Sequence, residues 1–146
     1  MRPIQWLQYR SYHQQYGNAL SFFQSYLKDR FLYILKLQPV EVYEVATFYS
    51  MYNLKPVGRY VFEVCQTGPC MLVGSDQIID YIKQKLGIKV GETTSDGMFT
   101  LKTVECLGAC GYAPMMQLGK VYREHLTKEK VDLIIEECKL SAAKNN

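Results

Sequence analysis

The chain has 146 residues, 48% of them hydrophobic and 21% charged, enough for one main domain with a real core and inconsistent with wholesale disorder. Its formal charge of +3 is weak and dispersed, without the basic run or RNA-binding aromatic motif that a nucleic-acid partner would require, so none is expected. No run reaches the about eighteen apolar residues of a membrane span, because Lys28, Asp29 and Arg30 interrupt the richest stretch, and direct membrane insertion is not expected.

The first fifteen residues carry Arg2 and Arg10 but no unbroken apolar core or small-residue cleavage site, so the expected compartment is the cytoplasm. In a reducing compartment, five cysteines point to metal or thiol chemistry rather than to a disulfide framework. Residues 1–38 hold nine of the nineteen aromatics and one acidic residue, Asp29. Pro39 opens the segment VEVYEVATFYSMY, in which Val content favours a strand while Val42, Val45, Ala46 and Tyr49 share a helical face; the pattern is read as helix. Composition changes at Pro56-Val57-Gly58, and the boundary is placed there, dividing a helical N-terminal segment, residues 1–57, from a domain of residues 58–146.

Residues 60–65, YVFEVC, alternate with Tyr60, Phe62 and Val64 on one face and are read as a strand ending at a cysteine. Ser75 is the expected N-cap of a helix whose Ile78, Ile79, Ile82 and Leu86 recur at helical spacing, with Gly87 as its C-terminal cap. After the turn-rich GETTSDG, Met98 to Val104 is read as a second strand leading into a cysteine pair. Met115 to Leu118 and Val121 to Arg123 flank Gly119-Lys120 as a hairpin, and Thr127 caps a last helix bearing Val131, Ile134, Ile135 and Cys138. The order β-α-β-β-β-α predicts a small α/β domain, helices against a mixed sheet, in a thioredoxin-like arrangement.

Cys65 and Cys70 form a C-x₄-C pair, and Cys106 and Cys110 a C-x₃-C pair, each just beyond a predicted strand. Four thiolates are the full ligand set of a [2Fe–2S] cluster, with two for each iron. Such a cluster carries net negative charge, and Gly68, Gly108 and Gly111 would let main-chain N–H groups turn inward to solvate it. Pro69 and Pro114 stiffen the loops, and Pro114 is a candidate for a cis bond. Two alternatives stay open on spacing alone: a zinc site, whose usual pairs are C-x₂-C, and thiol redox chemistry, which normally uses C-x-x-C. Cys138 lies on an apolar helix stripe and reads as a small buried hydrophobe. Neither His13 nor His125 resembles the His pair of a Rieske centre. The absence of a G-x-G-x-x-G or P-loop pattern places any nucleotide on another chain.

At VEVYEVATFYSMYNLKPVGRY, CQTGPC, LGIKVGETTSDGMFTL, VECLGAC and APMMQL, the sequence resembles the E-subunit (24 kDa type) family of NADH:quinone oxidoreductase, respiratory complex I, over about residues 38–139. Residues 1–37 diverge from the longer helical section, with its Gly-Trp motif, that the family has in front. The resemblance implies a thioredoxin-like domain with one [2Fe–2S] cluster on Cys65, Cys70, Cys106 and Cys110. It implies an electron carrier in the peripheral arm, on the cytoplasmic side of the membrane, beside a flavoprotein subunit that binds FMN and NADH. Similar subunits serve NAD-linked hydrogenases and formate dehydrogenases. Competing readings are a zinc-stabilised docking module and a free thiol oxidoreductase, which metal content and disulfide turnover separate from the electron carrier.

Overall fold

The computed structural model describes residue 36 and residues 38–144. The chain divides into two units after Val57. In the first, helix α1 spans Pro39–Phe48, so the Pro39 segment is helical despite its valines. Proline at the helix start costs no hydrogen bond, because that N–H has no intrahelical partner. The Gln38 N–H donates to Glu41 Oε2 at 2.6 Å, satisfying a terminal donor and placing a carboxylate at the positive end of the helix. Of the expected helical segment 1–57, the part before residue 36 lies outside the described residues, as does His13.

The second unit contains β1 (Tyr60–Cys65), α2 (Gly68–Leu72), α3 (Ser75–Leu86), β2 (Phe99–Val104), a 3₁₀ turn (Cys110–Tyr112), β3 (Met116–Leu118), β4 (Val121–Arg123) and α4 (Lys128–Lys144). The four strands form one sheet in the order β2-β1-β3-β4. β1 runs parallel to β2, with Tyr60 opposite Phe99 and Cys65 opposite Val104. β3 and β4 are antiparallel additions. This is the mixed sheet the strand order predicted, with two short pieces, α2 and the 3₁₀ turn, that periodicity did not reveal.

Burial follows the strand alternation. Phe62, Val64, Phe99, Leu101 and Met116 from the sheet join Ile78, Ile79 and Ile82 of α3 and Val131, Ile134, Ile135 and Cys138 of α4 in one core. The opposite sheet face carries Glu63 and Lys102, register partners whose side chains pair at 3.4 Å. Asp132 joins the two helices: it accepts from the Tyr81 hydroxyl at 2.8 Å and pairs with Lys85 at 2.9 Å. The Lys85 ammonium, followed by the Tyr81 hydroxyl, holds the Asp132 carboxyl below its ordinary value.

The caps differ at one point from expectation. Gly74 is the N-cap of α3, in a left-handed backbone at φ 94°, and Ser75 is the first helical residue, with its Oγ buried and without a hydrogen-bond partner. The tight turn between α2 and α3 requires the positive φ that glycine supplies cheaply, and this outweighs serine's capping preference. Gly87 does close α3 at φ 66°, and Thr127 does cap α4, its Oγ1 accepting from the Lys130 N–H at 3.2 Å.

Ile82 is fully buried in the core, whereas Leu133 on the outer face of α4 is 70% exposed. Ile82→Ala is expected to cost about 2–5 kcal/mol of unfolding free energy, and Leu133→Ala to stay within about 0.5 kcal/mol. Urea denaturation of the two variants side by side checks both.

Candidate metal centre

Parallel strands present their carboxyl ends at the same edge of a sheet. Cys65 is the last residue of β1, and its register partner Val104 ends β2 two residues before Cys106. The loops carrying both cysteine pairs therefore leave the sheet at one end. Antiparallel β3 begins at that same end, so the loop before it closes over the site: the Cys65 N–H donates to the Met115 carbonyl at 3.1 Å. The Ala113–Pro114 bond in that loop is cis. Cys70 sits in α2 and Cys110 opens the 3₁₀ turn.

Cys65, Cys70 and Met115 are buried together, with Leu107, Ala109 and Ala113 packed around them. Cys106 and Cys110 are exposed, and all five cysteines are free thiols. The Cys70 and Cys106 thiols lie near enough to Cys65 to affect its protonation, and Cys110 lies near enough to Cys70 to affect that of Cys70. The sheet places both predicted cysteine pairs in loops at one end. Among the described residues, no three His, Cys, Asp or Glu side chains gather closely enough to hold a single metal ion.

Main-chain donors converge on these sulfurs. Burial pushes the Cys65 thiol up, but the backbone N–H groups of Thr67 and Leu107, then the thiols of Cys70 and Cys106, together bring it below its ordinary value. Burial pushes Cys70 up to about 11, the neighbouring Cys65 adds to this, and the Met115 N–H opposes it. The Gly108 N–H donates to Cys106 Sγ at 3.3 Å. Soft thiolates, an apolar floor and inward N–H donors are what an anionic iron–sulfur centre needs from its protein, so the residues present fit such a group.

Of the three glycines expected to turn the backbone inward, Gly68 and Gly108 have positive φ, 38° and 72°, and Gly111 does not. A side chain at Gly111 would meet nothing within 4 Å, so neither conformation nor close approach demands glycine there. His125 is exposed; its N–H donates to the Tyr112 carbonyl at 2.9 Å and its ring packs edge-on against Tyr112. Cys138 is buried in the main core. One residue of the site was missed in the sequence. The Tyr122 hydroxyl, from edge strand β4, donates to the Leu107 carbonyl inside the C-x₃-C loop at 3.0 Å, and nothing in the local pattern signals that reach.

A four-stranded mixed sheet with helices, carrying both cysteine loops at the carboxyl ends of two parallel strands, defines a small thioredoxin-like domain. The profile of the thioredoxin-like [2Fe-2S] ferredoxin family matches residues 24–139, beginning upstream of the residue-38 limit of the sequence resemblance, and the chain belongs to that family. It is 53% identical over 104 residues to the NADH-quinone oxidoreductase E subunit of Rickettsia felis, covering 71% of this chain and 62% of the relative. It is 47% identical over 103 residues to an NADH-quinone oxidoreductase E subunit of Rhizobium meliloti, the one numbered 2, covering 70% and 61%. The chain thus spans about three-fifths of the length of these relatives. A crystal structure of an NAD+-reducing [NiFe]-hydrogenase in the air-oxidized state shares the fold, with a TM-score of 0.65 at 20% identity over 88% of this chain and 24% of that one.

Burial raises the Cys138 thiol from 9.0 to about 11, with Glu137 adding to the shift and Arg123 opposing it. The folded state favours the neutral thiol, so this contribution to stability is complete below about pH 9 and is lost as the pH climbs toward 11. In the metal-free chain, the urea midpoint is expected to fall across that window, and Cys138→Ala to flatten the fall while leaving the share due to Cys70.

Proposed function

We propose that this chain is the [2Fe–2S] electron-transfer subunit of an NADH:quinone oxidoreductase, with Cys65, Cys70, Cys106 and Cys110 as the cluster ligands. The observation that carries the ligand assignment is that both cysteine pairs, all free thiols, lie in loops at the carboxyl ends of the parallel strands β1 and β2. Two pairs suit a two-iron centre, in which each iron takes two protein sulfurs. The assembly is inferred from the curated relatives, which are E subunits of NADH-quinone oxidoreductases.

When bound, a [2Fe–2S] cluster supplies one-electron chemistry. The chain's own residues bind and tune it. Met115, Leu107, Ala109 and Ala113 keep water from the Cys65 and Cys70 sulfurs, and the N–H groups of Thr67, Leu107, Gly108 and Met115 hold negative charge on sulfur. The exposed side of Cys106 and Cys110 is the face through which an electron reaches a partner. On this reading FMN and NADH belong to a flavoprotein subunit, the acceptor chemistry lies with other peripheral-arm subunits, and the chain works on the cytoplasmic side of the membrane. Among the described residues, no helix is long and apolar enough to cross it.

Anaerobically purified protein is expected to contain two irons and two labile sulfides per chain and to become paramagnetic on one-electron reduction. Zinc without iron in fresh protein would end the proposal. Cys106→Ser is expected to lose or greatly weaken the visible absorption of the cluster, and Cys138→Ser to leave it intact; equal loss in both would overturn the ligand set. Co-purification with an NADH-oxidising flavoprotein and quinone-reducing activity tests the assembly, whereas a hydrogenase or formate dehydrogenase partner would reassign it.

A further inference from the structure

The Leu107–Gly108 peptide is held at both of its polar ends. Its N–H, on Gly108, donates to Cys106 Sγ at 3.3 Å, and its carbonyl, on Leu107, accepts from the Tyr122 hydroxyl at 3.0 Å. A trans peptide is planar, with its C=O and N–H pointing in opposite directions, so a group that fixes the carbonyl also aims the N–H. Beside Gly108, at φ 72°, rotation of that plane meets little steric resistance, and a restraint from outside the loop decides where the N–H points.

Tyr122 can supply that restraint because its own backbone is tied down. It pairs with Gln117 across β3 and β4, while its side chain, 43% exposed, reaches the cysteine loop fifteen residues earlier in sequence. The preceding amide, Leu107 N–H, is among the main-chain groups that hold the Cys65 thiol down. Anchoring Leu107 therefore steadies the Gly108 donor to Cys106 and the main-chain stretch beside Cys65.

We propose that Tyr122 is a positioning residue for the cluster: its hydroxyl holds the Leu107–Gly108 peptide so that the Gly108 N–H points at Cys106, and thereby raises the reduction potential of the centre. This inference rests on the assignment of Cys106 as a ligand. An N–H donor on a ligand sulfur stabilises the more negative, reduced state, so weakening it lowers the potential. The hydroxyl also polarises the peptide it grips, because linked hydrogen bonds strengthen one another.

The test uses the full chain with its cluster. Tyr122→Phe removes one oxygen and keeps the ring. Anaerobic redox titration followed by electron paramagnetic resonance should show a lower potential than in the wild type. Pulsed resonance on protein labelled with ¹⁵N-glycine should show a weaker coupling between the reduced centre and the Gly108 amide. Iron content and thermal melting should be unchanged, and Val121→Ser, at the neighbouring exposed position of β4, should leave the potential where it was. Site-specific fluorotyrosine at position 122, a stronger donor while neutral, should move the potential upward, which keeps the test decisive if Tyr122→Phe folds poorly.

An unchanged potential and coupling in either replacement would overturn the role of Tyr122 while leaving the ligand set intact. Wild-type protein without a cluster, or Cys106→Ser with an unaltered one, would instead overturn the assignment beneath it.

Discussion

The parallel pairing of β1 with β2 is the constraint on which the site depends. Two strands running the same way must be joined by a crossover, here the α2 and α3 segment, and in return their carboxyl ends lie side by side. The register of Cys65 opposite Val104 brings residues separated by some forty positions in sequence to the same edge. An antiparallel pairing of the same two segments would have put Cys65 and Cys106 at opposite ends of the sheet. The core serves this pairing, since Phe62, Phe99 and Leu101 pack beneath it against α3 and α4.

The proposed metal centre is asymmetric because its two loops leave the sheet differently. β1 is an interior strand, flanked by β2 and β3, and Cys65 inherits that burial together with Met115 from the neighbouring loop. The chain beyond β2 emerges from an edge strand, and Cys106 and Cys110 are exposed. Backbone donors offset the dielectric cost of the buried side, which is why the Cys65 thiol lies below its ordinary value despite desolvation. Cys70, with weaker compensation, lies above it.

Much of this was legible in the sequence, for identifiable reasons. The strands announce themselves by alternation, α3 and α4 by their isoleucine and valine spacing, and the cysteines by their placement after strand-like runs. What escaped was set by short-range geometry and by distance. The α2 turn is only five residues long, too brief for a periodic signal. Ser75 has the chemistry of a cap, but the turn needed the conformation of Gly74. Tyr122 belongs to a strand of three residues, and its partner Leu107 is a main-chain carbonyl, which no side-chain pattern encodes.

The unequal shielding of the four thiols has a consequence for wear. A peroxide molecule or a competing soft metal diffusing from solvent meets Cys106 and Cys110 first, while Cys65 and Cys70 are screened by Met115 and the alanines around them. On the proposed ligand set, damage begins on the C-x₃-C side, where the thiols are exposed.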